Sequence, residues 1–291
     1  YNAAEKTVMK LGVHVLPKFI RDTTDRNRTS PFAFTGNKFE FRMLGSANSI
    51  ACTNIMLNAA VAESLRQYAD VLERAEDFEE ALHTLIRDTI RAHKRIIFNG
   101  NGYDEAWLKE ATEERGLLNL PTTPDALPYI LKEKNVRMLT SLKVMSEAEI
   151  RSRCEIMLDN YRKTVHIEAR TMVDMARRQI LPAVEGYTVT LAEGLNAKKA
   201  AVPTLSGRYE SGLIETLSDL TDRIADAASD LEAALETYHG IADVTESAGF
   251  IRDAVLPRMA ALRAPCDAAE KCIPAACWPF PTYGELMFGV K

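Results

Sequence analysis

The chain has 291 residues, with 36 Lys and Arg against 41 Asp and Glu for a formal net charge of -5, and 46% of it is hydrophobic. That size and composition suit one large or two ordinary globular domains with ample core. The acidic balance excludes a general nucleic-acid or membrane-surface binder, and no apolar run is long enough to span a bilayer.

Local charge departs from this average. Residues 1–48 hold eight cations (Lys6, Lys10, Lys18, Arg21, Arg26, Arg28, Lys38, Arg42) against four acids (Glu5, Asp22, Asp25, Glu40). A positive field there favours an anionic ligand. The β-branched, alternating run over 12–18 predicts a short strand. Two runs over 31–35 and 38–43 flank Gly36-Asn37, which predicts a hairpin with a two-residue turn. That turn pairs Thr35 with Lys38, Ala33 with Glu40 and Pro31 with Arg42. Side chains alternate along a strand, so Lys38, Glu40 and Arg42 share one face, while Phe39, Phe41 and Met43 take the other and can bury into a core. Small Ala33 opposite Glu40 leaves room for a metal ion or ligand over the carboxylate. A plus-minus-plus strand face is also what a solvated face with cross-strand ion pairs looks like.

From Ser49 onward the period is helical. Ile50, Ile55, Leu57, Val61, Leu65, Tyr68 and Leu72 fit one broad face. Asp77 caps a second helix to about Ile97. Asn99–Gly102 is a turn, without the pattern of a nucleotide-binding glycine loop. A helix over 103–115 stops at Gly116, and a short one over 122–132 starts at a Thr-Thr-Pro cap. Ser146 and Glu149 form a capping box before a long helix that Pro182 ends or kinks at about Ile180. Residues 192–206 read as a loop. Heptad-like Leu217, Leu220, Ile224, Ala227, Leu231 and Ala234 predict a helix lying antiparallel on the 146–180 helix. A further helix covers 245–262, and the aromatic, proline-broken tail docks on the surface. The five histidines are scattered and read as packing or surface residues. The five cysteines are odd in number and lack paired zinc spacing, so they read as reduced thiols in the cytosol. A chain opening at Tyr1 without an initiator Met, and with no signal-peptide pattern, reads as the later part of a longer polypeptide.

The stretch DRNRTSPFAFTGNKFEFRMLGS (25–46) resembles the arginine-and-glutamate region of glutamine synthetases, in which an Asn-Arg run precedes a strand ending in Glu-x-Arg. Here these are Asn27-Arg28 and Glu40-Phe41-Arg42. The wording is similar to the type III branch, as are FNGNGY (98–103), TTPDALPY (122–129) and WPFPTYGELMF (278–288). The resemblance implies an α+β but predominantly α fold: a hairpin remnant of the family's catalytic barrel followed by long antiparallel helices. It divides the chain into residues 1–145, the last part of a catalytic domain, and 146–291, a helical C-terminal domain.

The resemblance further implies a cytoplasmic, ATP-dependent glutamate–ammonia ligase of glutamine biosynthesis, working through a γ-glutamyl phosphate. Phosphoryl transfer needs charge neutralised on the moving group, which metals and arginines supply. By match to the motif, Glu40 is a ligand of Mg²⁺ or Mn²⁺. Arg28 is catalytic, on the transferring phosphate of ATP, and Lys38 joins it there. Arg42 binds the carboxylate of glutamate through its planar fork. The second arginine of better-known branches is replaced here by Ala33, and the family's other metal and ammonia-site residues lie upstream of this segment, so the fragment holds one side of a site. Expected partners are glutamate, ammonia and ATP, and copies of the chain in two stacked six-membered rings, without nucleic acid or membrane. Two alternatives stand beside it: a non-catalytic helical interaction module and another ATP-dependent carboxylate–amine ligase.

Overall fold

A computed structural model describes residues 8–9, 19–20, 32–34, 39–42, 45, 49–98 and 100–289. The described chain is predominantly helical, as the sequence predicts. It falls into two compact units, Tyr1–Asn119 and Leu120–Lys291.

The first unit opens with two antiparallel ribbons. β1 (Val8–Met9) pairs with β2 (Phe19–Ile20), and β3 (Phe32–Phe34) with β4 (Phe39–Phe41). The strand predicted over 12–18 lies outside the described residues. α1 (Ala51–Leu72) and α2 (Phe78–His93) follow. Asp77 caps α2 as expected, its carboxylate accepting the Glu80 N–H at 3.1 Å. The apolar face assigned to α1 is corrected by the structure: Ile50, Val61 and Leu65 are exposed, and Ala59 alone among its residues is buried. α2 is its main packing partner, and one helix laid on another covers only a narrow strip of each. α3 (Glu105–Lys109) starts at the Asp104 cap and runs on as a π-helical turn, Glu110–Glu114. It stops where expected, at Gly116, whose φ of +59° is the left-handed conformation that glycine adopts without strain. Arg115 ties this end to the chain after α2 by donating to the carbonyls of Arg95 (3.1 Å) and Ile97 (2.8 Å).

The second unit begins with α4 (Thr123–Ala126) and α5 (Glu133–Ser141), joined by the 3₁₀ turn Leu127–Leu131. All three pack on α6 (Glu147–Met175), because Leu127, Ile130 and Leu131 cover buried Cys154 and Leu158. The boundary read from sequence at 145/146 thus falls inside this compact unit. Thr122 caps α4, and an ion pair between Asp125 and Arg252 holds the segment from the far side. Ser146 and Glu149 form the predicted capping box, with the Glu149 carboxylate 2.8 Å from the Ser146 N–H.

Pro182 does not end the long helix. α6 continues through a π-helical turn, Ala176–Ile180, into α7 (Leu181–Ala201). Pro182 has no N–H to offer, and its ring would strike the carbonyl four residues back. The widened turn lets the Leu181 N–H reach back to the Ala176 carbonyl and carries the helix past the ring. The same device recurs before Pro257, where the turn Ile251–Val255 joins α9 (Val244–Phe250) to α10 (Leu256–Glu270). The loop predicted over 192–206 therefore shrinks to the residues between α7 and α8 (Arg208–His239), with Gly207 in the left-handed conformation at φ +53°.

α8 runs antiparallel to the α6–α7 rod. Lys198 pairs with Glu210 at 2.8 Å near one end, and Arg162 donates to the Tyr238 hydroxyl at 3.2 Å near the other. Its heptad residues Leu217, Leu220, Ile224, Leu231 and Ala234 are buried as predicted, but the stripe drifts so that Ala228 replaces Ala227. It packs on the 146–180 helix as expected, through α6 and the Ala176–Ile180 turn, and more extensively on α7 and α10, which the sequence did not indicate. The shared core adds Val173, Ile180, Val184, Ile251, Val255 and Leu262. Trp278 and Phe280 of the tail dock on it as expected, whereas the last short helix, α11 (Tyr283–Phe288), leaves its aromatics exposed. No described helix is long and apolar enough to cross a membrane.

Candidate functional site

The β3–β4 ribbon adopts the predicted register: Ala33 faces Glu40, flanked by Phe32 opposite Phe41 and Phe34 opposite Phe39. The two-residue spacing then puts Glu40 and Arg42 on one face. They meet there. Arg42 donates Nη2 at 2.7 Å and Nε at 3.1 Å to the same oxygen, Glu40 Oε2. Both side chains stay accessible, 36% for Glu40 and 29% for Arg42, so a ligand can reach them. The turn residues, Lys38 and Arg28 lie outside the described residues.

The other face differs from expectation. Phe39 and Phe41 are 59% and 47% exposed, although Phe32 and Phe39 stack with ring centroids 5.0 Å apart. Among the described residues no second layer covers them, and a two-stranded ribbon has no core of its own.

As a metal site the pair fits in part. Glu40 supplies one hard oxygen ligand, whereas Mg²⁺ takes six near-octahedral ones. The described residues hold no cluster of three His, Cys, Asp or Glu that could bind a metal.

Sequence reasoning passed over a second charged region in the helical unit. An open cleft of about 740 Å³ lies between the end of α6 with its π-helical turn and the end of α8. Arg170, Asp174, Arg177 and Arg178 line one wall, Glu232, Glu236 and His239 the other. His166 sits edge-on to His239 at 5.0 Å and stacks on Tyr238, also at 5.0 Å. Its Nδ1 is buried without a hydrogen-bond partner, so this histidine is not the satisfied packing residue expected. The signal lay in charged residues at helical spacing on one face (162, 166, 170, 174, 177), legible only once α8 is known to face them.

Residues 81–199 match the family model described as the glutamine synthetase C-terminal domain. Over 96% of its length the chain is 36% identical to the type-3 glutamine synthetase of Dictyostelium discoideum. It is 34% identical to the glutamine synthetases of Butyrivibrio fibrisolvens, over all of the chain, and Bacteroides fragilis, over 98% of it. The chain belongs to the glutamine synthetase family. It spans 39–41% of the length of these relatives. The matched region of the glutamine synthetase model runs from α2 through nearly all of α7, so the α6–α7 share of the helical core and the α6 wall of the cleft lie within it, while α8 to α10 lie beyond it.

Proposed function

We propose that this chain forms one side of the active site of an ATP-dependent glutamate–ammonia ligase and is inactive alone. The observation that carries this is the Glu40–Arg42 face of the β4 ribbon, a carboxylate and a guanidinium held together, accessible, opposite a small residue, in a chain similar to type-3 glutamine synthetases. In the proposed reaction a side-chain carboxylate oxygen of glutamate attacks the γ-phosphorus of ATP and ADP leaves. Ammonia then attacks the acyl carbon, phosphate leaves, and a proton is lost to give the amide. A bound Mg²⁺ or Mn²⁺ supplies charge neutralisation on the phosphates, with Glu40 as one ligand. Arg42 orients glutamate by its carboxylate, for which a two-pronged donor is geometrically matched. Arg28 and Lys38 place positive charge on the phosphoryl group as it moves. The ribbon serves as the remnant of the family's barrel, and the helical unit as the part that packs within or between stacked rings of a cytoplasmic oligomer.

The test is Glu40→Ala in a polypeptide of the relatives' full length that carries this segment. Loss of metal-dependent glutamine formation by about 10²-fold or more, with the helical content unchanged, is expected. Near-normal turnover refutes the metal role, and turnover by the present chain alone refutes the half-site reading.

A further inference from the structure

Six formally charged side chains line the α6–α8 cleft, and four of them neutralise one another in pairs, Arg177 with Glu232 and Arg178 with Asp174. Arg170 and Glu236 remain, with no ion-pair partner among the described residues. The lining also includes apolar Val173 and Leu235, both largely buried. The volume, about 740 Å³, lies in the range of small-molecule sites.

The charge pattern selects the ligand. A simple anion attracted to Arg170 meets the unpaired carboxylate of Glu236, and a simple cation meets the reverse. The described residues hold no three-ligand metal cluster. A small molecule with one charge of each sign and a short apolar body satisfies both groups. We infer that the α6–α8 cleft binds a free α-amino acid in its zwitterionic form, with the carboxylate on Arg170 and the ammonium on Glu236. His239, on the cleft wall, and His166 behind it give the site further polar capacity. Burial first, then the nearby His239 and Arg170, lower the His166 pKa, so its ring is neutral at pH 7.

This inference does not depend on the ligase reading, because the cleft belongs to the helical unit and Glu40 and Arg42 to the other. The experiment is an NMR titration of the present chain with L-alanine, following the His239 ring signals, beside N-acetyl-L-alanine and L-alaninamide. A saturable shift with a dissociation constant on the order of 1 mM is expected for L-alanine, with each blocked analogue weaker by about tenfold or more. Arg170→Gln and Glu236→Gln should each weaken L-alanine similarly. Both residues are exposed and unpaired, so far-UV circular dichroism should show the fold intact. Arg151→Ala, outside the cleft on α6, should bind as the parent does. Absence of a saturable shift overturns the inference. So does equal binding of N-acetyl-L-alanine (a plain anion site), equal binding of L-alaninamide (a plain cation site), or indifference to both glutamine variants.

Discussion

Leu231→Ala tests the helical core most directly. Leu231 is fully buried on α8, in the core shared with α7 and α10. The substitution deletes three carbons, which at ~0.8 kcal/mol per methylene removes roughly 2.4 kcal/mol of transfer free energy. Helices on two sides limit collapse into the vacated space, so the cavity raises the total to about 3–5 kcal/mol. For a unit of this size that corresponds to a fall in Tm of roughly 6–20 °C. Urea denaturation followed by far-UV circular dichroism reads it as a lower midpoint at unchanged slope. Ile167→Ala is the control: Ile167 is 63% exposed on α6, and its loss should stay within about 0.5 kcal/mol. A second pair checks the register. Ala228 is fully buried and Ala227 only partly, so Ala228→Leu should overpack by about 1–3 kcal/mol while Ala227→Leu costs less. A Leu231→Ala cost below about 1 kcal/mol, or equal costs for the two alanine sites, refutes the packing described.

His166 gives the pH dependence its sign. Its folded pKa lies below the ordinary value of 6.5, chiefly through burial, so the folded state binds fewer protons than the unfolded one just below that pH. Stability should be untouched above 6.5 and fall as pH drops through the folded value. His166→Phe keeps a ring against Tyr238 and should flatten that decline in a comparison of unfolding midpoints; parallel curves for the two proteins would contradict it. The thiols should sort by environment. Burial first, then Asp267, pushes the Cys266 thiol up to about 11, and burial raises Cys154 as well. Cys52 and Cys277 are exposed. A thiol reagent at about pH 8, read by peptide mass spectrometry, should label the exposed pair first and reach Cys154 and Cys266 only in denaturant.

Much of this arrangement is local chemistry, and local chemistry is what a sequence displays. The register of Glu40 with Ala33, the Asp77 cap, the Ser146–Glu149 capping box and the stop at Gly116 each follow from a few adjacent residues. The departures share a different cause. Pro182 breaks an ideal α-helix, but a single widened turn accommodates it, and nothing near residue 182 announces that turn. Leu217 to Ala234 show that α8 buries a stripe, but not that α7 covers much of it, because residues 192–206 read as loop. Val61, Leu65, Phe39 and Phe41 carry the periodicity of buried positions and are exposed, since periodicity records a face suited to burial and not the presence of a cover. The cleft was not legible because Arg170 and Glu236 lie 66 positions apart in the chain, and the predicted pairing of the two helices does not by itself fix which of their residues face one another.

The Glu40–Arg42 contact bears on how the proposed site would work. An ion pair this accessible is worth only ~0.2–1 kcal/mol, so this contact by itself is a weak competitor for a divalent cation at Glu40 or a substrate carboxylate at Arg42. The pair holds the two groups side by side, and Arg42→Lys isolates the arginine's share. Lysine keeps the charge but loses the planar fork. In a polypeptide of the relatives' full length, the KM for glutamate should rise about tenfold or more, equivalent to ~1.4 kcal/mol, with the KM for ATP little changed. Far-UV circular dichroism of the variant checks that the fold is unchanged. A rise confined to the KM for ATP would move Arg42 to the phosphates beside Arg28 and Lys38. If both constants stayed within about twofold, Arg42 would be a strut for Glu40, and recognition of the substrate carboxylate would have to come from another residue.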